Sequence, residues 1–163
     1  MQRYRDRAGV RVERAAVSTR DGEAPFYHLR KVPGKTPAWF TLLGTLNREM
    51  LLKGRSSIPE IDSLVIEERV PTVRLDTLLA RHGISRIHLL VIDAEGHDWE
   101  VLRALDFTRF RPVLLMFEHQ YLSPNDKAAA YALLETHGYS FKETRDGDAI
   151  AWRNLQRGES AHV

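Results

Sequence analysis

The sequence predicts an α/β fold built on a mostly parallel sheet that ends in an antiparallel hairpin. Two observations carry this prediction. Short continuous apolar runs, typical of strands covered on both faces, alternate with helical patterns as in βαβ units. Near the carboxyl end, an alternating segment at 139–143 and an apolar segment at 149–152 flank the turn signal Asp146-Gly147, which indicates a hairpin.

Length and composition suit one domain over residues 1–163. Of the 163 residues, 43% are hydrophobic and 28% are charged, which is ordinary globular usage. The absence of cysteine excludes disulfides, a thiolate nucleophile and a cysteine zinc site. No apolar stretch approaches the about 20 residues of a membrane helix, and the first residues lack the apolar core of a signal peptide. We therefore expect a cytoplasmic protein without a membrane partner.

The formal net charge is only +2, because 24 Lys and Arg nearly balance 22 Asp and Glu. The arginines of the first twenty residues are interrupted by acidic residues, which is typical of a solvated surface rather than a phosphate-binding arm. We therefore expect no nucleic-acid partner.

The first part of the chain is predicted to form a strand, a turn and a second strand. Apolar residues up to Val17 and the segment 26–29 flank turn residues at 19–23. Between residues 31 and 71, proline, glycine and serine interrupt every periodic pattern. This segment is predicted to be an irregular insert or loop with one helical candidate at 46–52.

Regular patterns return beyond residue 71. Leucines at helical spacing from Leu75 precede a basic turn and a glycine stop at Gly83. Then follow a strand at 88–92, a helix from about 96 to 105, a strand at 113–117, and a helix opened by Ser123-Pro124 and closed at Gly138. In parallel sheets of this kind, ligands bind beyond the carboxyl ends of the strands.

Polar side chains follow two of these strands where each ends. Asp93 and Glu95 follow the first strand, and Glu118 and His119 follow the second. Carboxylates beside a helix start can orient an amine or hydroxyl or hold a hard cation, and a histidine beside an acid can act as a general base. We expect these four candidate catalytic residues to line one cleft. The structural alternative is that Asp93 or Glu95 caps the helix while Gly96 permits the turn, and that the second pair bonds to the loop after it.

Several blocks occur in an order that resembles the FkbM family of S-adenosylmethionine-dependent methyltransferases, over roughly residues 10–152. The specific blocks, at their mutual distance, are Leu75-Asp76-Thr77-Leu78-Leu79 and Ile92-Asp93-Ala94-Glu95-Gly96. The supporting blocks are Ala16-Val17-Ser18 with Asp21-Gly22, Leu43-Gly44-Thr45-Leu46-Asn47-Arg48-Glu49, Val70-Pro71-Thr72-Val73-Arg74, Arg111-Pro112, Phe117-Glu118-His119, Gly138-Tyr139 and Gly147-Asp148-Ala149.

The resemblance implies a Rossmann-like methyltransferase fold that transfers a methyl group from S-adenosylmethionine to an oxygen, commonly on a sugar or natural-product hydroxyl. It places Asp93 beside the methionine end of the cofactor or the acceptor, with Glu95 in the same pocket. Glu118 and His119 are implied to face the small-molecule acceptor. Since a sulfonium already carries a good leaving group, the protein must align an oxygen and accept its proton.

The cofactor-binding residues that the resemblance implies are Asp93 and a strand end near the adenine, formed by Ala16, Val17 and Ser18. No metal ligand is expected. The family opens with a glycine-rich loop between two strands, whereas no two glycines of this sequence lie closer than Gly138 and Gly147, so no Gly-x-Gly exists. We therefore expect a truncated methyltransferase that lacks its first strands, is inactive alone and does not hold the cofactor at micromolar strength.

Two other functions remain open at this point. One is a non-catalytic remnant that acts as a binding or oligomerisation module and associates with itself through an exposed sheet edge. The other is a small metal-dependent hydrolase that uses Asp93, Glu95, Glu118 and His119, although their spacing matches no diagnostic metal motif.

Overall fold

The structure is a computed structural model that describes residues 7–33, 43–58 and 60–153. In chain order, the elements are β1 (Ala16–Ser18), β2 (Gly22–Leu29), β3 (Gly44–Thr45), α1 (Arg48–Leu52), a 3₁₀ turn (Lys53–Ser56), α2 (Ile61–Leu64), β4 (Val65–Arg74), α3 (Leu75–Arg81), β5 (Leu89–Ile92), α4 (Asp98–Arg103), β6 (Leu114–Glu118), α5 (Pro124–Thr136), β7 (Tyr139–Glu143) and β8 (Asp148–Arg153). No helix among these is long and apolar enough to cross a bilayer.

The described strands form two four-stranded sheets. Sheet 1 has the order β1-β4-β2-β3, and sheet 2 has the order β5-β6-β8-β7. Of the six strand pairs in the described residues, only β1 with β4 and β5 with β6 are parallel. The α/β class is therefore confirmed, but the expectation of one mostly parallel sheet is wrong. Parallel neighbours need a long crossover, whereas β8 follows β7 after a short loop and pairs antiparallel with it. Strand β8 also pairs antiparallel with β6, on its other side.

The later elements follow the sequence pattern closely. The α4 helix connects the parallel strands β5 and β6, and the carboxyl-terminal hairpin of β7 and β8 is present. Helix α5 begins as predicted, with the Ser123 hydroxyl accepting the backbone N–H of Asp126 at 3.1 Å and Pro124 in the first turn.

The described part of residues 31–71 contains more regular structure than the pattern indicated. It includes β3, α1, α2 and most of the ten-residue strand β4, which lies between β1 and β2 at the centre of sheet 1. Strand β4 was not predicted, because exposed charges interrupt its apolar residues and because proline is uncommon within a central strand. The charges are those of Glu67, Glu68 and Arg69, and the proline is Pro71.

Sheet 2 packs one face against α4 and α5. Ile92, Leu115 and Phe117 point into this core, where they meet Leu102 and Leu134 from the helices. The opposite face is open, so the expectation that both faces are covered is wrong for the part of the chain that the structure describes. Four apolar side chains on this side are exposed, and we call them the apolar face: Leu89 (55%), Val91 (53%), Leu114 (39%) and Trp152 (40%).

A second, smaller core lies between sheet 1 and α1. It contains Leu29 of β2, Met50 and Leu51 of α1, and Ile61 of α2, with Tyr121 packed against it. Because Tyr121 follows β6, this cluster joins sheet 1 to the carboxyl-terminal side of sheet 2. Residues from both sheets therefore bound this side of the region between them.

Candidate active site

The chain bends sharply between β5 and α4. Glu95 has a φ of 50°, the one positive φ of a non-glycine residue in the described ranges, and Gly96 follows with a φ of 85°. The buried Thr45 hydroxyl donates a 2.8 Å hydrogen bond to the Glu95 carbonyl and accepts the Asn47 N–H at 2.9 Å. Sheet 1 thereby holds the bend in its left-handed conformation, which costs an ordinary residue about 1 kcal/mol.

A buried carboxylate, Asp98, organises the backbone on the other side of this bend. Its Oδ1 accepts the N–H groups of Ala94 at 3.5 Å and Glu118 at 3.2 Å, and its Oδ2 accepts the N–H of Gly96 at 3.3 Å. Burial raises the pKa of Asp98, while the three N–H donors act to lower it. The carboxylate therefore connects the loop after β5 to the end of β6.

The hypothesis that Asp93 or Glu95 caps helix α4 is wrong, because Asp98 accepts the N–H groups that such a cap would accept. The N-cap residue of α4 is His97, whose side chain makes no capping hydrogen bond, and the free N–H groups of the loop go to Asp98. Sequence reasoning missed Asp98. The one available signal was its position two residues after Gly96, where a helix start leaves N–H groups without partners.

Three of the four expected catalytic residues gather at the ends of β5 and β6. Burial raises the pKa of Glu95 to about 7, with further contributions from the charges of Glu118, Asp93 and Asp98. Burial also raises the pKa of Glu118, although its hydrogen bond from Gln120 opposes the shift. The second oxygen of Glu118, Oε2, is buried and has no hydrogen-bond partner. The structure thus places three carboxyl groups together, and one of them, Glu95, gains or loses its proton near neutral pH.

The fourth expected residue, His119, lies apart from these carboxyl groups. Its ring contacts Tyr131 of α5 edge to face at 6.5 Å, and its Nε2 lies 3.7 Å from Glu143 Oε2, beyond hydrogen-bonding distance. Successive residues of an extended segment point to opposite sides, so His119 and Glu118 face different parts of the molecule.

A cavity of about 430 Å³ lies between β1 and β5, and we call it the inter-sheet cleft. Ala16 and Val17 line it from sheet 1, and Asp93 lines it from the end of β5. Ser18 does not line the inter-sheet cleft. Its Oγ lies 3.4 Å from Nε2 of His97, and His97 does line the cleft. The structure therefore brings together most of the expected cofactor-binding residues, in a space of the size that small-molecule sites have.

A second cavity of about 560 Å³ lies beyond His97, and we call it the aromatic cavity. Tyr27, Trp99 and Tyr121 contribute its rings, and polar and charged side chains complete its wall. His97 lines both cavities, and burial lowers the pKa of its imidazole, which is therefore neutral at physiological pH.

Other residues of the recognisable sequence blocks have structural contacts. The Asp21 carboxylate accepts the Arg74 N–H at 2.8 Å and the Thr77 hydroxyl at 2.9 Å, and Arg74 pairs with Asp76 at 2.9 Å. These contacts fix the turn between β1 and β2 to the start of α3. In the described ranges, no group of three or more His, Asp or Glu side chains is placed to hold a metal ion.

This arrangement of strands, helices and acidic strand ends fits the class of α/β proteins with a methyltransferase-like fold. Comparison with known families specifies it further: the family model described as Methyltransferase FkbM domain matches residues 2–141, and the chain belongs to this family. The resemblance found in the sequence is confirmed, and the family indicates methyltransferase activity. Neither the curated proteins nor the solved structures give a significant match.

Proposed function

We propose that this protein is an S-adenosylmethionine-dependent methyltransferase that acts on a hydroxyl oxygen of a small molecule, such as a sugar or a natural product. One observation carries the proposal. The inter-sheet cleft unites Ala16 and Val17 with Asp93, residues far apart in the sequence that the family resemblance assigns to the cofactor. A Rossmann-like arrangement is part of the proposal, and the crossover from β5 through α4 to β6 supports it.

The chemistry of the inter-sheet cleft fits this cofactor. Val17, Leu75 and Leu78 give it an apolar wall suited to the flat face of an adenine, and Asp93 offers a carboxylate to the ammonium group of the methionine end. Because the sequence has no Gly-x-Gly to approach the cofactor with bare backbone, we expect binding to be weaker than micromolar and the chain alone to be inactive.

The bound cofactor would supply an electrophilic methyl group on a sulfonium. The protein then has to hold the acceptor oxygen in line and take its proton. Asp93 and Ala94, which precede Glu95 in the chain, line the inter-sheet cleft. Gly96, which follows it, lines the aromatic cavity. The Glu95 pKa of about 7 suits a general base, since such a carboxyl is largely ionised just above neutral pH and still accepts a proton readily.

The proposal is tested by titrating the ¹⁵N-labelled protein with S-adenosylhomocysteine and mapping amide shifts by NMR, which detects weak binding. We expect shifts at Val17, Ala94 and His97, the residues around the inter-sheet cleft. Adenosine alone should shift Val17 more than Ala94, and methionine alone should do the reverse. Shifts confined to other surfaces, or none at millimolar ligand, would overturn the proposal.

A second function, self-association through sheet 2, is favoured by the apolar face. Its exposed Leu114 and Trp152 are neighbours on β6 and β8, and contiguous apolar surface of this kind usually marks an interaction site. The occupant proposed here is a second copy of the chain. In analytical ultracentrifugation, Leu114→Lys should shift the protein towards the monomer, whereas Ile84→Lys, which changes an equally exposed residue elsewhere, should not. A wild-type monomer at high concentration would exclude this function.

A further inference from the structure

We propose that His97 binds the ribose of the cofactor through a hydrogen bond to its 2′- or 3′-hydroxyl. The inter-sheet cleft would therefore prefer nucleosides that carry both hydroxyls over those that lack one. The inference rests on the proposed function and deepens it, because it assigns a residue to the recognition of the sugar. Three observations support it: the polar side chains of the cleft, the position of His97 among them, and the hydrogen-bonding capacity of its imidazole.

The inter-sheet cleft has few polar side chains. Among its lining residues in the described ranges, only Thr45, Asp93 and His97 have side-chain oxygen or nitrogen atoms. The Thr45 hydroxyl is already engaged, because it donates to the Glu95 carbonyl at 2.8 Å and accepts the Asn47 N–H at 2.9 Å. Side-chain recognition of a polar ligand group in the cleft is therefore left to Asp93 and His97.

His97 lies between the two ends of the proposed cofactor. Its Nε2 is 3.4 Å from Ser18 Oγ, and Ser18 directly follows Val17, which we place beside the adenine. Its backbone N–H donates to the Ala94 carbonyl at 3.1 Å, and Ala94 directly follows Asp93, which we place beside the ammonium group. The ribose joins the adenine to the methionine part of the cofactor, so it is the part that would pass His97.

The imidazole of His97 matches a sugar hydroxyl. Burial lowers its pKa, so the ring is neutral at physiological pH and has one N–H donor and one acceptor nitrogen. A hydroxyl likewise both donates and accepts. Within the described ranges, the contact with Ser18 is the only side-chain hydrogen bond of His97, and at 3.4 Å it is long. A ligand hydroxyl would therefore meet little competition for the ring.

The apolar residues around His97 should make this hydrogen bond selective. Leu46 and Val101 line the cleft with it, and Val101 lies one helical turn further along α4. A ligand without the hydroxyl would leave a ring nitrogen facing the cleft unpaired, and sites built to bind a hydroxyl reject such ligands for this reason. Because water still reaches the half-buried ring, we expect a preference of only about three- to tenfold.

The experiment measures dissociation constants for adenosine, 2′-deoxyadenosine and 3′-deoxyadenosine by NMR titration. The amide shifts of Val17 and Ala94 report occupancy of the inter-sheet cleft. We expect the wild type to bind adenosine about three- to tenfold more tightly than at least one of the two deoxynucleosides. The analogue that loses affinity identifies the hydroxyl that His97 binds. Equal dissociation constants for all three nucleosides would overturn the inference.

The variant His97→Phe keeps a flat ring but has no hydrogen-bonding atoms. It should bind all three nucleosides alike, about as weakly as the wild type binds the poorer analogue. His97→Gln, which retains a donor and an acceptor, should keep part of the preference. The control His88→Phe changes an exposed histidine that does not line the cleft, and it should behave like the wild type. A purely structural role of His97 would instead weaken all three nucleosides equally and leave the preference intact, which would contradict the proposal.

S-adenosylhomocysteine distinguishes a failure of this inference from a failure of the proposed function. If this ligand shifts Val17 and Ala94 while adenosine does not bind, or binds no better than both analogues, the role of His97 is wrong and the cofactor proposal stands. If S-adenosylhomocysteine causes no shifts at millimolar concentration, both are wrong. An unchanged amide spectrum outside the cleft shows that each variant is folded.

Discussion

The carboxylate of Asp98 accepts the backbone N–H of Glu118 at 3.2 Å and so joins the loop after β5 to the end of β6. The same carboxylate holds Ala94 and Gly96, and the Thr45 hydroxyl holds the Glu95 carbonyl from the side of sheet 1. The positions of the candidate catalytic carboxyl groups therefore depend on two buried side chains that do not themselves belong to the predicted catalytic set.

Replacing Asp98 should be among the most destabilising single changes in this protein. Asp98→Ala leaves three backbone N–H groups without their acceptor in a buried place, and we expect a loss of about 3 kcal/mol in the free energy of unfolding. Asp98→Asn keeps an acceptor for Ala94 and Glu118 but turns an N–H₂ towards Gly96, so its loss should be smaller. Urea denaturation measures both, and equal stabilities of Asp98→Ala and wild type would show that the carboxylate is not structural.

The Thr45 hydroxyl should stabilise the bend at Glu95 by a comparable mechanism. Thr45→Val keeps the side-chain shape but removes the donor to Glu95 and the acceptor for Asn47, for an expected loss of about 1 to 2 kcal/mol. Thr45→Ser retains the hydroxyl and is the matched control. A Thr45→Val protein as stable as Thr45→Ser would mean that these two hydrogen bonds contribute nothing.

Gly96 is required for packing as well as for its backbone conformation. A Cβ at this position would lie 2.9 Å from Met50 Cγ, whereas a Cβ at Gly83, which also has a positive φ, would meet nothing within 4 Å. We expect Gly83→Ala to cost about 1 kcal/mol and Gly96→Ala about 2 to 3 kcal/mol by thermal unfolding. The difference between the two variants isolates the contact with α1, and its absence would contradict the close approach.

The Glu95 carboxyl should make stability depend on pH. Its pKa is raised from 4.5 to about 7 in the folded protein, so ionising it costs more in the folded than in the unfolded state. The free energy of unfolding therefore falls as the pH rises from 4.5 to about 7 and falls no further above that. We expect a total loss of about 1 kcal/mol, after allowance for the water that reaches a half-buried group. The raised pKa of Glu118 acts in the same direction.

Urea denaturation at pH 5 and pH 8 measures this dependence. Glu95→Gln should lose less stability between the two pH values than the wild type, and the part due to Glu118 should remain. The control Glu67→Gln, at an exposed position of β4, should behave like the wild type. If Glu95→Gln retains the full wild-type difference, the carboxyl does not have the raised pKa.

The sequence allowed the local order of β5, α4 and β6 to be predicted, and with it the meeting of Asp93, Glu95 and Glu118. It could not show on which side His119 lies, because that depends on where β6 ends and on the packing of α5 against it. The role of Asp98 was equally hidden. Its partner Glu118 is twenty residues away, and only the folded chain brings the two together.

The separation into two sheets was beyond sequence reasoning for a related reason. Strand β4 pairs with β1 and β2 through backbone hydrogen bonds, and these do not require particular side chains that a sequence pattern could reveal. The contact between Thr45 and Glu95 likewise joins segments fifty residues apart. Local periodicity carries no information about such pairings.

The central claim, that the inter-sheet cleft holds S-adenosylmethionine through Asp93, is tested most directly by measuring the dissociation constant for this ligand by NMR titration in three proteins. These are the wild type, Asp93→Asn and the control Asp146→Asn, which changes an exposed acid in the turn between β7 and β8. We predict weak but measurable binding by the wild type and the control, and a loss of about tenfold or more in Asp93→Asn. Equal affinities in all three proteins would contradict the claim.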